Sequence, residues 1–296
     1  MSILIFSIFS LLQVVAAPAA RPETLVEDVR RFEAAQTNQA RFEALTMMLR
    51  DRGFVYDVQP FTIEKPVGKE LRREGRNVIV SFGEGPDEIV IGAHFDAARL
   101  PDGSLSRGAV DNAASSVILV RLAEALRAEK LPARIKVVWF DMEELGLIGS
   151  QRYVQSQASP PPAAMVNFDI NAYGDTVVFG PSKREDNKAL RRAFVETCAA
   201  EDRSCVGFPQ MPPGDDRSFM SAGIPTLSIA MVPARDVHQL WLMLNAGADS
   251  GLAQGTVPEI LRTIHTAQDT SAKVDGEAMA RALRFALSLV RNVVRR

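Results

Sequence analysis

Between Arg21 and Arg50, the apolar positions Leu25, Val29, Phe32, Phe42, Leu45 and Met48 recur at helical spacing, so this stretch is expected to be helical. The rhythm then shortens. "FVYDVQPF" and "NVIVSFG" alternate or run apolar as strands do, and "EIVIGAHFD" is a further strand that ends at His94. "FGEGPDEIV" reads as a hairpin turn, because Gly-Pro separates two apolar runs. "DNAASSVILVRLAEALRAE" has the pattern of an amphipathic helix N-capped around Asp111 or Asn112. A strand from Arg134 to Phe140 follows, then a helix from about Leu147 to Gln157. "AAMVNFDI" is a strand ending near Asp169, and "DTVVFG" is a short one. "DNKALRRAFVETCAA" is helical, "DRSFMSAGIPTLSIAM" is a short helix, a turn and a strand, and a last helix starts at Val274.

Strands that alternate with helices make βαβ units. The expected fold is therefore a single-domain α/β protein: a mixed, mostly parallel sheet sandwiched between helices. Such sheets carry their sites at the carboxyl ends of the strands. His94, the pair Glu143 and Glu144, and Asp169 each follow an apolar strand run. Three strands thus deliver ligand-type side chains to one rim.

Composition changes the picture little. With 296 residues, 47% apolar and 24% charged, the chain can bury a large core. A net charge of −2 argues against nucleic acid or an anionic membrane surface as the main partner. The N-terminus is different. "ILIFSIFSLLQVVAA" (Ile3 to Ala17) is apolar but shorter than the ~20 residues of a spanning helix, and "VAAPAA" supplies small residues for cleavage. Residues 1–20 are read as a signal peptide and 21–296 as the single α/β domain, with a periplasmic or secreted destination and no stable membrane insertion after cleavage. The "MS" start lacks the usual Lys or Arg, so an uncleaved anchor is the alternative. The two cysteines, Cys198 and Cys205, could pair in an oxidising compartment or remain thiols.

The stretch "KVVWFDMEELGLIGSQRYV" sets Asp141, Glu143 and Glu144 at a strand end, with no Lys or Arg from Asp141 until Arg152. Clustered carboxylates at a dry rim need water, a proton or a cation. The candidate ligands are His94, Asp96, Asp111, Glu143, Glu144, Asp169, His265 and Asp269. Asp96 lies two residues beyond His94 and Asp269 four beyond His265. A carboxylate near an imidazole is what a metal-bound His normally uses to fix its tautomer. Each residue also has a plain alternative: Glu-Glu as a solvated loop, Asp111 as an N-cap, Asp141 as a turn cap, and His238 as a structural residue of an amphipathic helix.

"GAHFDA", "GAVDNAASS", "FDMEELGLIGS", "NFDI" and "IHTAQDT" occur here in the order they have in the M28 family of zinc aminopeptidases, which this chain resembles from about Asn77 to Thr270. The resemblance implies two zinc ions in one α/β domain. His94 and Asp169 would bind one ion, Glu144 and His265 the other, and Asp111 would bridge them; the Asp111–Asn112 peptide bond would be cis, as the equivalent bond is in the family. Glu143 would be the general base rather than a ligand. Asp96 would orient His94, and Asp269 would support His265. The implied reaction is hydrolysis of N-terminal residues from peptides, with a metal-bridging hydroxide as the attacking group.

The chain departs from the family pattern in places. "DDRSF" lies where the family has a Ser-Asp-His segment beside the substrate, which makes Asp216, Arg217 and Phe219 candidate pocket residues, with Arg217 in the His position. Ser115 replaces a common Gly. Ile264 stands where some relatives have a Tyr that assists the oxyanion. Pro233 to Pro258 is a lid, a pocket wall or a plain surface excursion. Three other functions remain open: a single-zinc glutaminyl cyclase, an M20-type carboxypeptidase or deacylase, and a metal-free binding module. The span from Asp169 to His265 leaves little room for the inserted domain usual in the M20 type, and a binding module predicts lost ligands, whereas all are present.

Overall fold

Ile89, Ile91 and Ala93 turn to one side of their strand and Val90 to the other, yet all four are buried. Helices cover both faces of the strand, as its near-continuous apolar run requires. The computed structural model describes residues 21–67, 72–157, 160–247 and 257–295. Its strands are β1 (Asp57–Thr62), β2 (Glu74–Phe82), β3 (Glu88–His94), β4 (Arg134–Phe140), β5 (Ala164–Phe168), β6 (Thr176–Gly180), β7 (Cys205–Gly207) and β8 (Thr226–Val232). They form one sheet in the order β1-β2-β4-β3-β5-β8-β6-β7. The centre, β4-β3-β5-β8, is parallel. Both β1 and β2 run antiparallel to their neighbours, as β6 does to β8.

The helices are α1 (Pro22–Glu33), α2 (Asn38–Asp51), α3 (Ala114–Leu126), α4 (Ile148–Gln155), α5 (Lys188–Ala200), α6 (Asp216–Ser221), α7 (Ala234–Asn245), α8 (Glu259–Thr263) and α9 (Gly276–Val294). Helices α1, α3, α5 and α9 pack on one another, and their apolar side chains join Ile89, Val137 and Trp139 in the main core. On the opposite face α4 and α6 enclose Val90, Val138, Phe140, Tyr153 and Phe219. Trp139 is fully buried, and its indole N–H donates to the Ser116 carbonyl at 3.0 Å. Truncating it to Ala should cost about 3–5 kcal/mol.

Three local expectations need correction. The stretch from Arg21 is two helices, because Thr37 leaves helical geometry and its side chain caps α2 by accepting from Ala40 N at 3.0 Å. The Gly-Pro turn does not close a hairpin: β4 lies between β2 and β3 and pairs with both. Neither Asp111 nor Asn112 caps α3 with its side chain. Both have non-helical backbone angles in the turn before it, and α3 begins from Ala113, which is itself helical. At the far edge, β7 pairs with β6, and a Cys198–Cys205 disulfide ties it to α5. The proposed signal segment lies outside the described residues. Among those described, no helix is long and apolar enough to cross a membrane.

Candidate metal centre

The carboxyl ends of β3, β4 and β5 meet at one rim. His94 is the last residue of β3 and is 2% exposed. The amide of Phe95 donates to the Phe140 carbonyl at 3.0 Å, which ties the exit of β3 to the exit of β4. There the chain turns at once, with Met142 in the left-handed region (φ 57°) and the Gly146 and Leu147 amides both donating to the Glu143 carbonyl. The turn places Glu143 and Glu144 on the rim. Asp96 holds it in place: its carboxylate accepts from the amides of Glu143 (3.1 Å) and Glu144 (3.3 Å) and lies 3.4 Å from His94 Nδ1. Asp96 therefore serves both the imidazole and the acidic loop.

Asp169 follows β5 directly. Beside it, Asn112 locks two segments together by donating to the Phe168 carbonyl (2.9 Å) and accepting from Ile170 N (3.2 Å). The Asp111–Asn112 peptide is cis. Asp269 was expected beside His265, but its carboxylate accepts from the amides of Val110 (2.6 Å) and Asp111 (3.2 Å). It supports the loop that carries Asp111, because the chain after His265 folds back across that loop. His265 itself follows α8, has φ 56° and a side chain 55% exposed.

The structure brings together all five expected ligands. Asp111 sits at the centre, with Oδ1 3.1 Å from His94 Nε2 and Oδ2 3.1 Å from His265 Nε2. His94 Nε2 is also 3.7 Å from Asp169, and His265 Nε2 is 3.1 Å from Glu144. Donor atoms of His94, Asp111 and Asp169 lie within 4.8 Å of one another, as do those of Asp111, Glu144 and His265. His94, Glu143 and Glu144 meet the same limit, so Glu143 adjoins both groups.

The protonation balance shows strong negative charge. Burial pushes Glu144 up to about 7, with Asp111's charge adding to the effect. Burial also raises Glu143 well above its ordinary value, reinforced by the charges of Asp215, Asp169 and Glu144. Burial opposes protonation of His94, but the charge of Glu143 and the nearby carboxylates of Asp111, Asp169 and Asp96 outweigh it and hold the imidazole well above its usual range. Bonds to Asp111 and Glu144 raise His265 to about 11. Burial works to raise Asp111, yet bonds from His265 and His94 take it below the usual carboxylate range. A cation among these carboxylates would relieve the same repulsion. Buried Glu144 Oε1 and Asp169 Oδ1 have no hydrogen-bond partner. Imidazole nitrogens, carboxylate oxygens and unpartnered buried acceptors together suit zinc.

A cavity of about 320 Å³ opens beside the rim. Asp111, Glu143, Glu144, Asp169 and His265 form its polar wall, while Val178, Phe208, Met211, Ala230, Val232, Leu240, Leu244, Ile260 and Ile264 supply apolar ones. Part of the long segment from Pro233, through α7, is thus pocket wall. The candidate pocket residues of "DDRSF" do not line this cavity. Phe219 is fully buried in the α4–α6 core, 6.0 Å from Phe140 and 5.7 Å from Tyr153. Arg217 is exposed on another depression, beside Leu147 and Gln151. Asp216 is buried behind the rim, where burial raises it to about 7, and its neighbour Asp215 rises to about 8 for the same reason.

Sequence reasoning also missed two arginines. Arg72 reaches both oxygens of Asp141 at 2.8 Å, so Asp141 has a cation as well as a turn, in which it accepts from Met142 N. Arg41, on α2, is fully buried and donates to the carbonyls of Phe95 (2.6 Å), Arg107 (2.9 Å) and Gly108 (3.2 Å). No local pattern marks either residue, since their partners lie more than 50 positions away.

The sequence model of Peptidase family M28 matches residues 77–290, so the chain belongs to this family. Among characterised proteins it is similar to the aminopeptidase YwaD of Bacillus subtilis, with 30% identity over 90 residues, 30% of this chain and 19% of that protein. It is also similar to an aminopeptidase of Pseudomonas aeruginosa, with 28% identity over 167 residues, 52% of this chain and 30% of that one. These matches span less than a third of either relative's length. Among solved structures, BSAP, a zinc aminopeptidase from Bacillus subtilis, has a TM-score of 0.71 at 12% identity and covers 91% of this chain and 94% of its own. A glutaminyl cyclase of Porphyromonas gingivalis has a TM-score of 0.71 at 19% identity, covering 93% and 99%. Both share this fold.

Proposed function

We propose that this chain is an exported zinc-dependent aminopeptidase with two zinc ions, acting on peptides whose N-terminal side chain is apolar. His94 and Asp169 would hold one ion, Glu144 and His265 the other, and Asp111 both. The observation that carries this reading is Asp111, whose two oxygens face one imidazole each at 3.1 Å. Bound there, zinc supplies Lewis acidity toward a water and toward the scissile carbonyl. Glu143, on the cavity wall between the two groups, takes the proton of the attacking water and returns it to the leaving amine. Asp96 keeps Glu143 and Glu144 in position through their amides. The apolar walls accept the first side chain, and among the described residues no Lys or Arg lines the cavity to pair with an acidic one. The names of the relatives support aminopeptidase action, and the apolar segment Ile3 to Ala17 supports export.

Zinc per chain and hydrolysis of aminoacyl p-nitroanilides test the proposal. We expect two zinc ions, leucyl and phenylalanyl substrates cleaved well ahead of glutamyl, loss with a chelator and recovery with zinc. Glu143→Gln should keep its zinc and lose about 10²- to 10⁴-fold in kcat. A chain that binds no zinc, or a Glu143→Gln variant that turns over normally, would defeat the proposal. One zinc per chain with pyroglutamate formed from glutaminyl peptides would instead identify a cyclase. The presence of both groups, His94 with Asp111 and Asp169 as well as Glu144 with Asp111 and His265, weighs against that outcome.

A further inference from the structure

Arg41 comes from α2, which lies before the region that the family model matches. Its side chain is fully buried, yet the bonds it donates go to backbone carbonyls rather than to a carboxylate. A buried charge normally needs compensation. Here it comes from a distance, from the charges of Asp96, Asp269, Asp111 and Glu144, which oppose the lowering of the guanidinium by burial. The carbonyls it grips have consequences for the site. Phe95 lies between His94 and Asp96, and Arg107 and Gly108 lead into the turn that carries Asp111. The planar fork therefore spans the strand-end loop of one imidazole and the loop of the central carboxylate. Phe32 packs under it, 5.2 Å from the guanidinium carbon to the ring centre.

We infer that Arg41 is a positioning residue for the metal centre: it fixes the separation of the His94 and Asp111 loops, and so makes the N-terminal helical pair part of the zinc-binding unit. The inference rests on the two-zinc reading above. It makes a prediction opposite in sign to that of electrostatics alone. A positive charge beside a cation site disfavours the cation, so removing it would tighten binding if charge were all that Arg41 contributed. Loss of the fork would loosen the ligands and weaken binding.

The test compares the full chain with Arg41→Met, Arg41→Lys and Arg52→Met. Arg52 ends the same helix, and its ion pair with Asp28 at 2.7 Å lies away from the site. Zinc affinity is read by competition with a chromogenic chelator, zinc content by elemental analysis, and fold by thermal unfolding with saturating zinc. Both Arg41 variants should bind zinc about 10- to 100-fold more weakly, as changes behind a metal ligand do. Their kcat should fall while KM for leucyl p-nitroanilide stays within about twofold, as expected when transition-state stabilisation is lost and ground-state binding is kept. Arg52→Met should unfold at a lower temperature with zinc affinity unchanged. If Arg41→Met does not fold, Arg41→Lys decides, because it keeps the charge and loses the fork. Folded Arg41 variants that bind zinc as tightly as the wild type, or more tightly, overturn the inference. A wild-type chain that binds no zinc defeats the metal reading itself.

Discussion

The two groups of ligands that share Asp111 are built differently. His94 and Asp169 leave β3 and β5, which are hydrogen-bonded neighbours in the parallel centre of the sheet. His94 is 2% exposed and held from behind by Asp96. Glu144 and His265 belong to loops, and His265 follows a five-residue helix with its ring 55% exposed. The first group is set by strand ends, with His94 buried and Asp169 at the cavity wall. The second is set by loops, with the Glu144 side chain buried and only the His265 ring largely exposed. A two-metal hydrolase on this plan would have one ion position framed by strand ends and one framed by loops, both open to the same cavity.

The largest expected effect comes from removing what the groups share. Asp111→Asn should reduce bound zinc to near zero and hydrolysis below detection, since both positions lose a negative ligand. Variants that separate the groups come next. His94→Ala should lose the position it shares with Asp169 and about 1–3 kcal/mol of stability by removing a buried imidazole that faces Asp96 and Asp111. His265→Ala should keep close to one zinc per chain and most of its thermal stability. Equal losses in the two would dissolve the contrast, and elemental analysis with calorimetry decides.

A smaller effect concerns pH. Burial raises Glu144 and Asp216 to about 7 and Asp215 to about 8, and His265 is raised to about 11 by its two carboxylate partners. For the acids, the folded state holds protons that the unfolded chain releases near pH 4. Their contribution is full below that pH and is lost as pH rises through 7 to 8. His265 acts in the same direction: its contribution is full below about 6.5 and is lost toward 11. The metal-free protein should therefore melt at steadily lower temperatures between about pH 5 and 9, and saturating zinc should flatten that slope. A metal-free melting temperature that rises over this range would contradict the burial argument. The smallest change should come from His238→Ala. His238 is exposed on α7, apart from the ligand groups, and its loss should move stability by no more than about 0.5 kcal/mol and leave zinc content unchanged.

The central strands were legible because both faces are buried, which leaves unbroken apolar runs ending in polar residues. That pattern also pointed to His94, Glu143, Glu144 and Asp169 as neighbours, since parallel strands end on the same side. The pairing of β2 was not legible, because a Gly-Pro turn looks the same whether the flanking strands meet or a later strand inserts between them. Phe219 was misjudged because sequence cannot say which face of a short helix meets the core. Asp269 was placed beside the nearest His in sequence, whereas its partners are backbone amides 158 and 159 positions earlier. Arg41 and Arg72 act on backbone or side chains 54 to 69 positions away and carry no local mark. The apolar cavity was hidden for the same reason, its walls being shared among β6, β8, α7, α8 and the loop at Met211.

The disulfide at the far margin of the sheet bears on how the chain must be made. Strand β7 is three residues long, and its outer side has no further strand among the described residues. Cross-linking its first residue to α5 closes a small loop and keeps that margin docked. Under reducing conditions this clamp is absent, and bare backbone groups beyond β6 become a surface on which other chains can stack. Recombinant material should accordingly stay monodisperse when folded with an oxidant and gain multimers on treatment with thiol, while the side chains gathered where β3, β4 and β5 end, at the centre of the sheet, remain assembled.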